Sequence, residues 1–241
     1  MEYVEFENII KQEFAQSDIS ITSKQIQKLY DYMVLLIEKN KVMNLTAITE
    51  PKEIIIRHFV DSCIFNRFYD LKEGLQILDM GTGAGFPGLP LAIINENQKF
   101  VLTDTLGKRI NFLSEVLDKL KLKNVKLIKE RAEDFGQELE YRESFDFVLS
   151  RGVAKISVLA EYSLPLVKIG GNMIAWKLVD CDTELNEGKK AIDVLGGMFH
   201  VKHQYNLLKD EPERCLLEIN KIKITPKKYP RQAGMPSKRP I

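Results

Sequence analysis

Apolar residues first recur in this chain at the spacing of one helix face, with Ile26, Leu29, Tyr30, Met33 and Ile37 following Thr22 and Gln25, which fit a capping box. Asn44-Leu45-Thr46 interrupts that pattern, and Thr49 followed by Pro51 predicts another helix start, running through Ile55, Phe59 and Phe65. From Leu75 the texture changes to short apolar runs alternating with amphipathic segments. Strands are predicted over residues 75–80, 99–103, 125–129, 145–150, 172–177, 199–205 and 215–222. Helices are predicted from near Phe86 and Pro87, through Ile110, Leu113, Leu117 and Leu120, and over 154–168 and 184–195. This alternation implies an α/β fold, a mostly parallel seven-stranded sheet with helices on both faces. The expected organisation is an N-terminal helical extension over 1–70 and one domain over 71–241 whose last segment, 221–241, is an arm.

The segment Leu78-Asp79-Met80-Gly81-Thr82-Gly83-Ala84-Gly85-Phe86-Pro87-Gly88 closes the first predicted strand with a glycine cluster. Glycines there let the backbone turn tightly and approach a ligand closely. Two frames overlap: GxGxG at Gly81, Gly83 and Gly85, and GxGxxG at Gly83, Gly85 and Gly88. The second is a dinucleotide fingerprint, and Asp104 lies at about the distance such a site needs for its ribose-binding acid. Two features oppose that reading. A carboxylate at Asp79 would repel pyrophosphate but suits a zwitterionic sulfonium ligand, and Pro87 removes a backbone N–H that a phosphate would use. An acid before the glycines and a second acid ending the next strand form the S-adenosylmethionine pattern of a Rossmann-like methyltransferase fold, with Asp104 accepting from the ribose hydroxyls. Arg131-Ala132-Glu133-Asp134 follows the third strand, where such folds hold the adenine.

Composition narrows the setting. The chain is 44% hydrophobic and 29% charged, ordinary values for a globular protein. Its N-terminus lacks the basic-then-apolar order of a signal peptide, and no apolar run is long enough to span a bilayer. Cys63, Cys181 and Cys215 show no metal-type spacing, so free thiols in a cytoplasmic protein without a metal are expected. The net charge of +1 is uninformative, but its distribution is not. Residues 221–241 hold seven basic side chains and no acid. With its prolines and glycine, the segment reads as an extended arm in which Lys227, Lys228, Arg231, Lys238 and Arg239 meet RNA phosphates. Arg131 and Arg214 are further candidate RNA contacts.

The segments GTGAGFPGLPLAI, LGKRINFL, RAED, FDFVLSRGVA and KYPRQAGMPSKRP, with NLTAIT and RHFVDS upstream, resemble the small-subunit ribosomal RNA methyltransferase G family, also called glucose-inhibited division protein B. The resemblance covers the chain from about residue 30 to its end. It implies S-adenosylmethionine-dependent methylation of guanine N7 in the 530 loop of 16S rRNA, acting on the RNA or the small ribosomal subunit. It places cofactor contacts on Gly81, Phe86, Asp104, Thr105, Leu106, Ala132, Glu133 and Arg151. Gly152 stands where the family more often has alanine, and the tryptophan many members carry after the first long helix is absent.

Missing residues speak to the chemistry. Ser150-Arg151-Gly152-Val153 contains no Asn-Pro-Pro-aromatic signature of exocyclic-amine methylation. No cysteine follows a proline in a strand-end loop, as covalent pyrimidine C5 chemistry would require. Guanine N7 carries a free lone pair and no proton, so no general base is assigned and catalysis is expected to rest on positioning. Two other functions fit parts of the sequence: a nicotinamide-dependent oxidoreductase using the GxGxxG frame, and a non-catalytic rRNA-binding assembly factor.

Overall fold

Thr22 caps the longest helix in the computed structural model, which describes residues 1–209 and 211–241. Its side chain accepts from the Gln25 amide while the Gln25 side chain returns to the Thr22 N–H, so the expected capping box is present. The helices are α1 (Tyr3–Gln16), α2 (Ser23–Met43), α3 (Pro51–Ile54), α4 (Asp61–Cys63), α5 (Phe65–Phe68), α6 (Gly88–Ile94), α7 (Gly107–Leu120), α8 (Ala132–Phe135), α9 (Ile156–Ser163), α10 (Asp182–Val194) and α11 (Met235–Lys238), with a π-helical turn over Ile55–Val60. The strands are β1 (Gln76–Met80), β2 (Lys99–Asp104), β3 (Val125–Lys129), β4 (Phe145–Arg151), β5 (Val167–Leu178), β6 (Gly197–Tyr205) and β7 (Arg214–Lys221). They form one sheet in the order β3-β2-β1-β4-β5-β7-β6; β1, β4 and β5 run parallel, β2 and β3 run parallel, and β7 runs antiparallel to β5 and β6. The fold is the expected Rossmann-like α/β type. Strand order changes direction at β1 and β4, and such sheets bind ligands beyond the carboxyl ends of the strands at that point.

Several details differ from the sequence reading, and the helix predicted over 154–168 ends at Ser163, with Val167 and Lys168 in β5. On α2 the fully buried face is Ile26, Leu29, Tyr32, Met33 and Leu36, so Tyr32 and Leu36 take the places expected for Tyr30 and Ile37. The second helical stretch is capped by the Glu50 carboxylate rather than by Thr49. Strand β5 starts five residues early because pairing with β4 resumes across an irregularity between Phe145 and Phe147, where Gly170 and Gly171 read as a turn.

The chain forms two compact units, residues 1–74 with 82–129 and residues 75–81 with 130–241. The first has an aromatic centre: Phe59 lies 6.4 Å from Phe6, 5.6 Å from Tyr32 and 6.2 Å from Phe86, ring centroid to centroid. The second is built on the fully buried apolar residues of β1, β4, β5 and β7, among them Ile77, Leu78, Leu149, Ile174 and Leu217.

The C-terminal segment packs on this second unit, which corrects the expectation of an extended arm. Arg142 donates to the carbonyls of Gly136, Tyr229, Thr225 and Pro226. Gln137 donates to the Pro230 carbonyl at 2.6 Å, and Tyr229, Pro230 and Pro236 are buried. Lys221 is also buried, bonded to Leu164 O at 2.6 Å and paired with Glu143 at 3.0 Å. Burial pushes its ammonium below the ordinary lysine range, with Glu143 opposing that shift. Arg231 forms a two-pronged pair with Glu161, Nε to Oε1 at 2.8 Å and Nη2 to Oε2 at 2.6 Å, and the Glu161 side chain is 0% exposed. Arg231 is therefore committed to the fold. Lys227, Lys228, Lys238 and Arg239 remain exposed. Arg231→Gln strands a buried carboxylate and is expected to cost about 3–5 kcal/mol in urea denaturation, whereas Arg231→Gln with Glu161→Gln recovers much of it. Equal losses in the single and double variants would mean that the ion pair does not hold the segment.

Candidate cofactor site

In the first unit the glycine turn is tied to the end of β2. Thr82 N donates to Thr103 O at 2.9 Å, and Gly83 N donates to the Asp104 carboxylate at 3.0 Å. The same carboxylate accepts from Leu106 N at 2.9 Å and from Arg109 Nη1 at 2.9 Å. Asp104 is 4% exposed, so three donors offset the cost of burying its charge. The sequence reading found Asp104 but not Arg109, whose place near the start of α7 carries no local signal of pairing. Gly83 adopts φ +63°, and a Cβ added there would meet nothing within 4 Å. The space beside that turn is open, as a ligand-approach position requires. Thr105 and Leu106 are exposed just past β2.

Phe86 is buried and belongs to the aromatic centre, with its ring stacked on His58 at 4.3 Å. His58 Nε2 lies 2.9 Å from Thr46 Oγ1, so the NLTAIT and RHFVDS segments meet on the residue that follows the glycines. Tyr32 donates through its hydroxyl to Ala84 O, fixing the same turn from α2. Nothing in the sequence spacing pairs Thr46 with His58, twelve residues on, or Tyr32 with Ala84, fifty-two residues on.

In the second unit Asp79, one residue before the end of β1, is in register with Leu149 of β4 and is fully buried. Gly81, at φ +71°, packs so closely that a Cβ would stand 2.8 Å from Val153 Cγ2. Arg151 ends β4 and is half-buried, followed by exposed Gly152. Arg131 is exposed at the N-cap of α8, Ala132 is half-buried, and Glu133 is buried. The Glu133 carboxylate accepts from Gly234 N at 2.8 Å, so the C-terminal segment holds a residue of the expected adenine site. Arg214 opens β7, half-buried and outside the C-terminal segment.

The three cysteines are free and buried. Cys181 and Cys215 place their sulfurs 3.8 Å apart in the second unit. Burial, with the Cys181 thiol alongside, pushes the Cys215 thiol up to about 12, so it stays protonated and unreactive. Among the described residues no helix is long and apolar enough to cross a membrane, and no group of three or more His, Cys, Asp or Glu side chains could hold a metal ion.

These residues fit a nucleoside bearing a sulfonium better than a dinucleotide. The Gly83 amide is taken by Asp104, the Gly85 and Phe86 amides both donate to Thr82 O, and Pro87 has no N–H. Most of the donors that would cradle a pyrophosphate are already used. What the turn offers is a buried acceptor carboxylate and open space at Gly83, the requirements of a ribose diol and its neighbouring atoms.

The family model described as rRNA small subunit methyltransferase G matches residues 25–212. The chain belongs to the rRNA small subunit methyltransferase G family. Curated relatives called ribosomal RNA small subunit methyltransferase G include one from Desulforamulus reducens, 47% identical over 96% of this chain and 97% of its own length. Another, from Clostridium tetani, is 48% identical over 87% of this chain and 88% of its own. Among solved structures, a SAM-dependent methyltransferase from Aquifex aeolicus matches with a TM-score of 0.52 at 19% identity, covering 73% of this chain and 96% of that one. The M. jannaschii TYW2 structure in complex with AdoMet has a TM-score of 0.52 at 17% identity, covering 67% and 77%. These two likenesses are of fold. Members of the rRNA small subunit methyltransferase G family use S-adenosylmethionine.

Replacing Asp104 with alanine removes that acceptor. Charge-assisted hydrogen bonds contribute about 1.5–3 kcal/mol, so calorimetric titration with S-adenosylmethionine is expected to show a dissociation constant raised about tenfold or more. Thermal melting of Asp104→Ala alongside Asp104→Asn separates loss of the ribose contact from loss of the turn. Unchanged affinity in a folded variant would place the ribose elsewhere.

Proposed function

We propose that this chain transfers a methyl group from S-adenosylmethionine to N7 of a guanine in the 530 loop of 16S rRNA, in the RNA itself or in the small ribosomal subunit. S-adenosylmethionine-dependent methylation of small-subunit rRNA is the activity of the family to which the chain belongs. The assignment to N7 and to that loop is the finer step. The observation that carries the cofactor half of the reading is the buried Asp104 carboxylate holding the Gly83 turn. The residues assigned to the cofactor are Gly81, Gly83, Gly85, Phe86, Asp104, Thr105, Leu106, Ala132, Glu133 and Arg151, with Asp79 contributing charge.

When bound, S-adenosylmethionine supplies a methyl on positively charged sulfur: the N7 lone pair forms the new C–N bond as the C–S bond breaks, and the base gains the positive charge that sulfur loses. N7 carries no proton, so no side chain has to remove one. What the chain contributes is alignment, an effect worth up to about 7–11 kcal/mol when two reactants are held in register. The Asp104 cluster orients one partner. Cations have to hold the other, because rRNA binding is dominated by phosphate contacts. Lys227, Lys228, Lys238 and Arg239, exposed on the docked C-terminal segment, serve that role together with Arg131 and Arg214.

Incubation of 16S rRNA and of 30S particles with the protein and S-adenosylmethionine, followed by borohydride–aniline cleavage, is expected to break the chain at one guanine of the 530 loop. No cleavage, with methyl incorporated at another atom, overturns the N7 assignment; no incorporation favours the assembly-factor reading. Titration with NAD is expected to show no binding, and binding there in place of S-adenosylmethionine favours the oxidoreductase. Replacing Lys227, Lys228, Lys238 and Arg239 together by glutamine is expected to flatten the dependence of log RNA affinity on log salt. The slope falls by about 0.7 for each phosphate that is no longer neutralised, with cofactor affinity unchanged. An unaltered slope would mean that these four residues do not meet the RNA.

A further inference from the structure

A second concavity opens in the unit of residues 75–81 and 130–241, beyond the carboxyl ends of β4 and β5, where open α/β sheets take their ligands. Its volume is about 580 Å³, within the range of about 300–1,000 Å³ usual for small-ligand sites. Arg151, the cofactor residue at the end of β4, is part of its wall, so the cleft adjoins the cofactor residues of this unit. Lys155, Trp176, Glu187, Tyr205 and Arg214 complete the lining that matters here. Trp176 and Tyr205 are buried and form a firm floor, while Lys155 and Glu187 are exposed.

Two of the charges in the cleft are already spent on structure. Lys177 pairs with Glu184 at 2.6 Å and donates to Ala154 O at 3.0 Å, and the same Glu184 oxygen accepts from Ile156 N at 2.6 Å. That pair fixes the segment leading from Arg151 into α9. Further cations line the cleft, Lys155 after β4 and Arg214 on β7, and so does a carboxylate, Glu187 of α10.

The proposed reaction dictates which edge of guanine a pocket can grip. N7 has to be left open to the incoming methyl, which forbids the arginine fork on N7 and O6 that commonly reads guanine. The Watson–Crick edge remains, and it offers two donors side by side, N1–H and the N2 amine. A carboxylate is the acceptor that matches both. A phosphorylated guanosine therefore needs cations for its phosphates and an acid for its base. The target base has to leave its stack to be reached.

From this we infer that the cleft receives the target guanosine nucleotide, with Glu187 accepting from N1–H and the N2 amine and with Lys155 and Arg214 meeting the adjacent phosphates. The inference rests on the N7 reading above and adds the residues that choose the base.

The test uses the full-length protein and 16S rRNA carrying either guanine or inosine at the position mapped by borohydride–aniline cleavage. Inosine keeps N7 and lacks the N2 amine. The wild-type protein is expected to methylate the guanine RNA with a kcat/KM roughly ten- to a hundredfold above the inosine RNA. Glu187→Ala is expected to lower kcat/KM for guanine by a similar factor and to bring the guanine-to-inosine ratio close to one, with S-adenosylmethionine affinity unchanged by calorimetry. Lys155→Gln and Arg214→Gln are expected to raise KM for both RNAs while kcat holds. Asp180→Asn, altering a second exposed carboxylate of the lining, is expected to leave the ratio at its wild-type value. A wild-type ratio in Glu187→Ala, or loss of cofactor affinity in that variant, overturns the assignment of the cleft to guanine. Failure of the wild-type protein to methylate N7 of any guanine instead overturns the reading on which the assignment stands.

Discussion

The Asp104 carboxylate is the constraint from which the cofactor end of the protein follows. A buried charge has to be satisfied by donors, and the three it has come from a glycine turn, the start of α7 and a side chain on that helix. A carboxylate offers about four acceptor positions, so these bonds leave one in the ligand-free arrangement. A ribose diol asks for two. Arg109 is the donor able to yield, because it is half-exposed on a long side chain while the Gly83 and Leu106 amides are fixed by the backbone. If Asp104 takes a ribose diol as proposed, this ion pair stabilises the turn beforehand and is exchanged on binding.

Much of the fold was legible in the sequence because parallel strands buried on both faces read as compact apolar runs. Residues 76–80, inside the predicted run 75–80, are such a strand, with four of five residues buried. Strand β5 was legible only from residue 172, since Lys168-Ile169-Gly170-Gly171 has the composition of a turn and lies in the irregularity where the register with β4 skips from Val167 to Asn172. The face of α2 was half legible for a related reason. Tyr32 is inside because its hydroxyl meets Ala84 O, a partner fifty-two residues away in sequence, and helical spacing contains no trace of that. The glycine turn and Asp104 were visible as a motif. Arg109, Glu161 and Arg142 were not, because their importance lies in partners supplied by other parts of the chain.

The C-terminal segment shows the same limit acting on charge. Seven cations and no acid suggest a polyanion-binding arm only if the neutralising acids are sought within the segment. They lie outside it, at Glu143 for Lys221 and at Glu161 for Arg231. Two of the seven cations therefore hold the segment in place. What is presented to solvent is a smaller cationic surface with a fixed geometry, and the turn into α11 bonds Glu133 through Gly234. Under the proposed function, one fixed segment carries the RNA-facing cations and supports a residue assigned to the cofactor.

If the cleft receives the target guanine as proposed, the chemistry of N7 gives the Glu187 carboxylate a second consequence. As the methyl arrives, positive charge spreads over the base and its N1–H becomes more acidic. A carboxylate on that edge bonds the product-like base more strongly than the starting base, and an interaction that tightens toward the transition state lowers the barrier rather than merely improving binding. Recognition and rate then come from one contact, and a protein that needs no general base still places a negative charge where the reaction develops a positive one. The fixed Lys177–Glu184 pair keeps the neighbouring lysine from neutralising that charge, since its ammonium is already occupied by Glu184 and the Ala154 carbonyl. Glu184 and Glu187 of α10 thus sit a single turn apart in different settings: Glu184 holds the fold beside Arg151, and Glu187, exposed in the same cleft, is the acid the proposal assigns to the base.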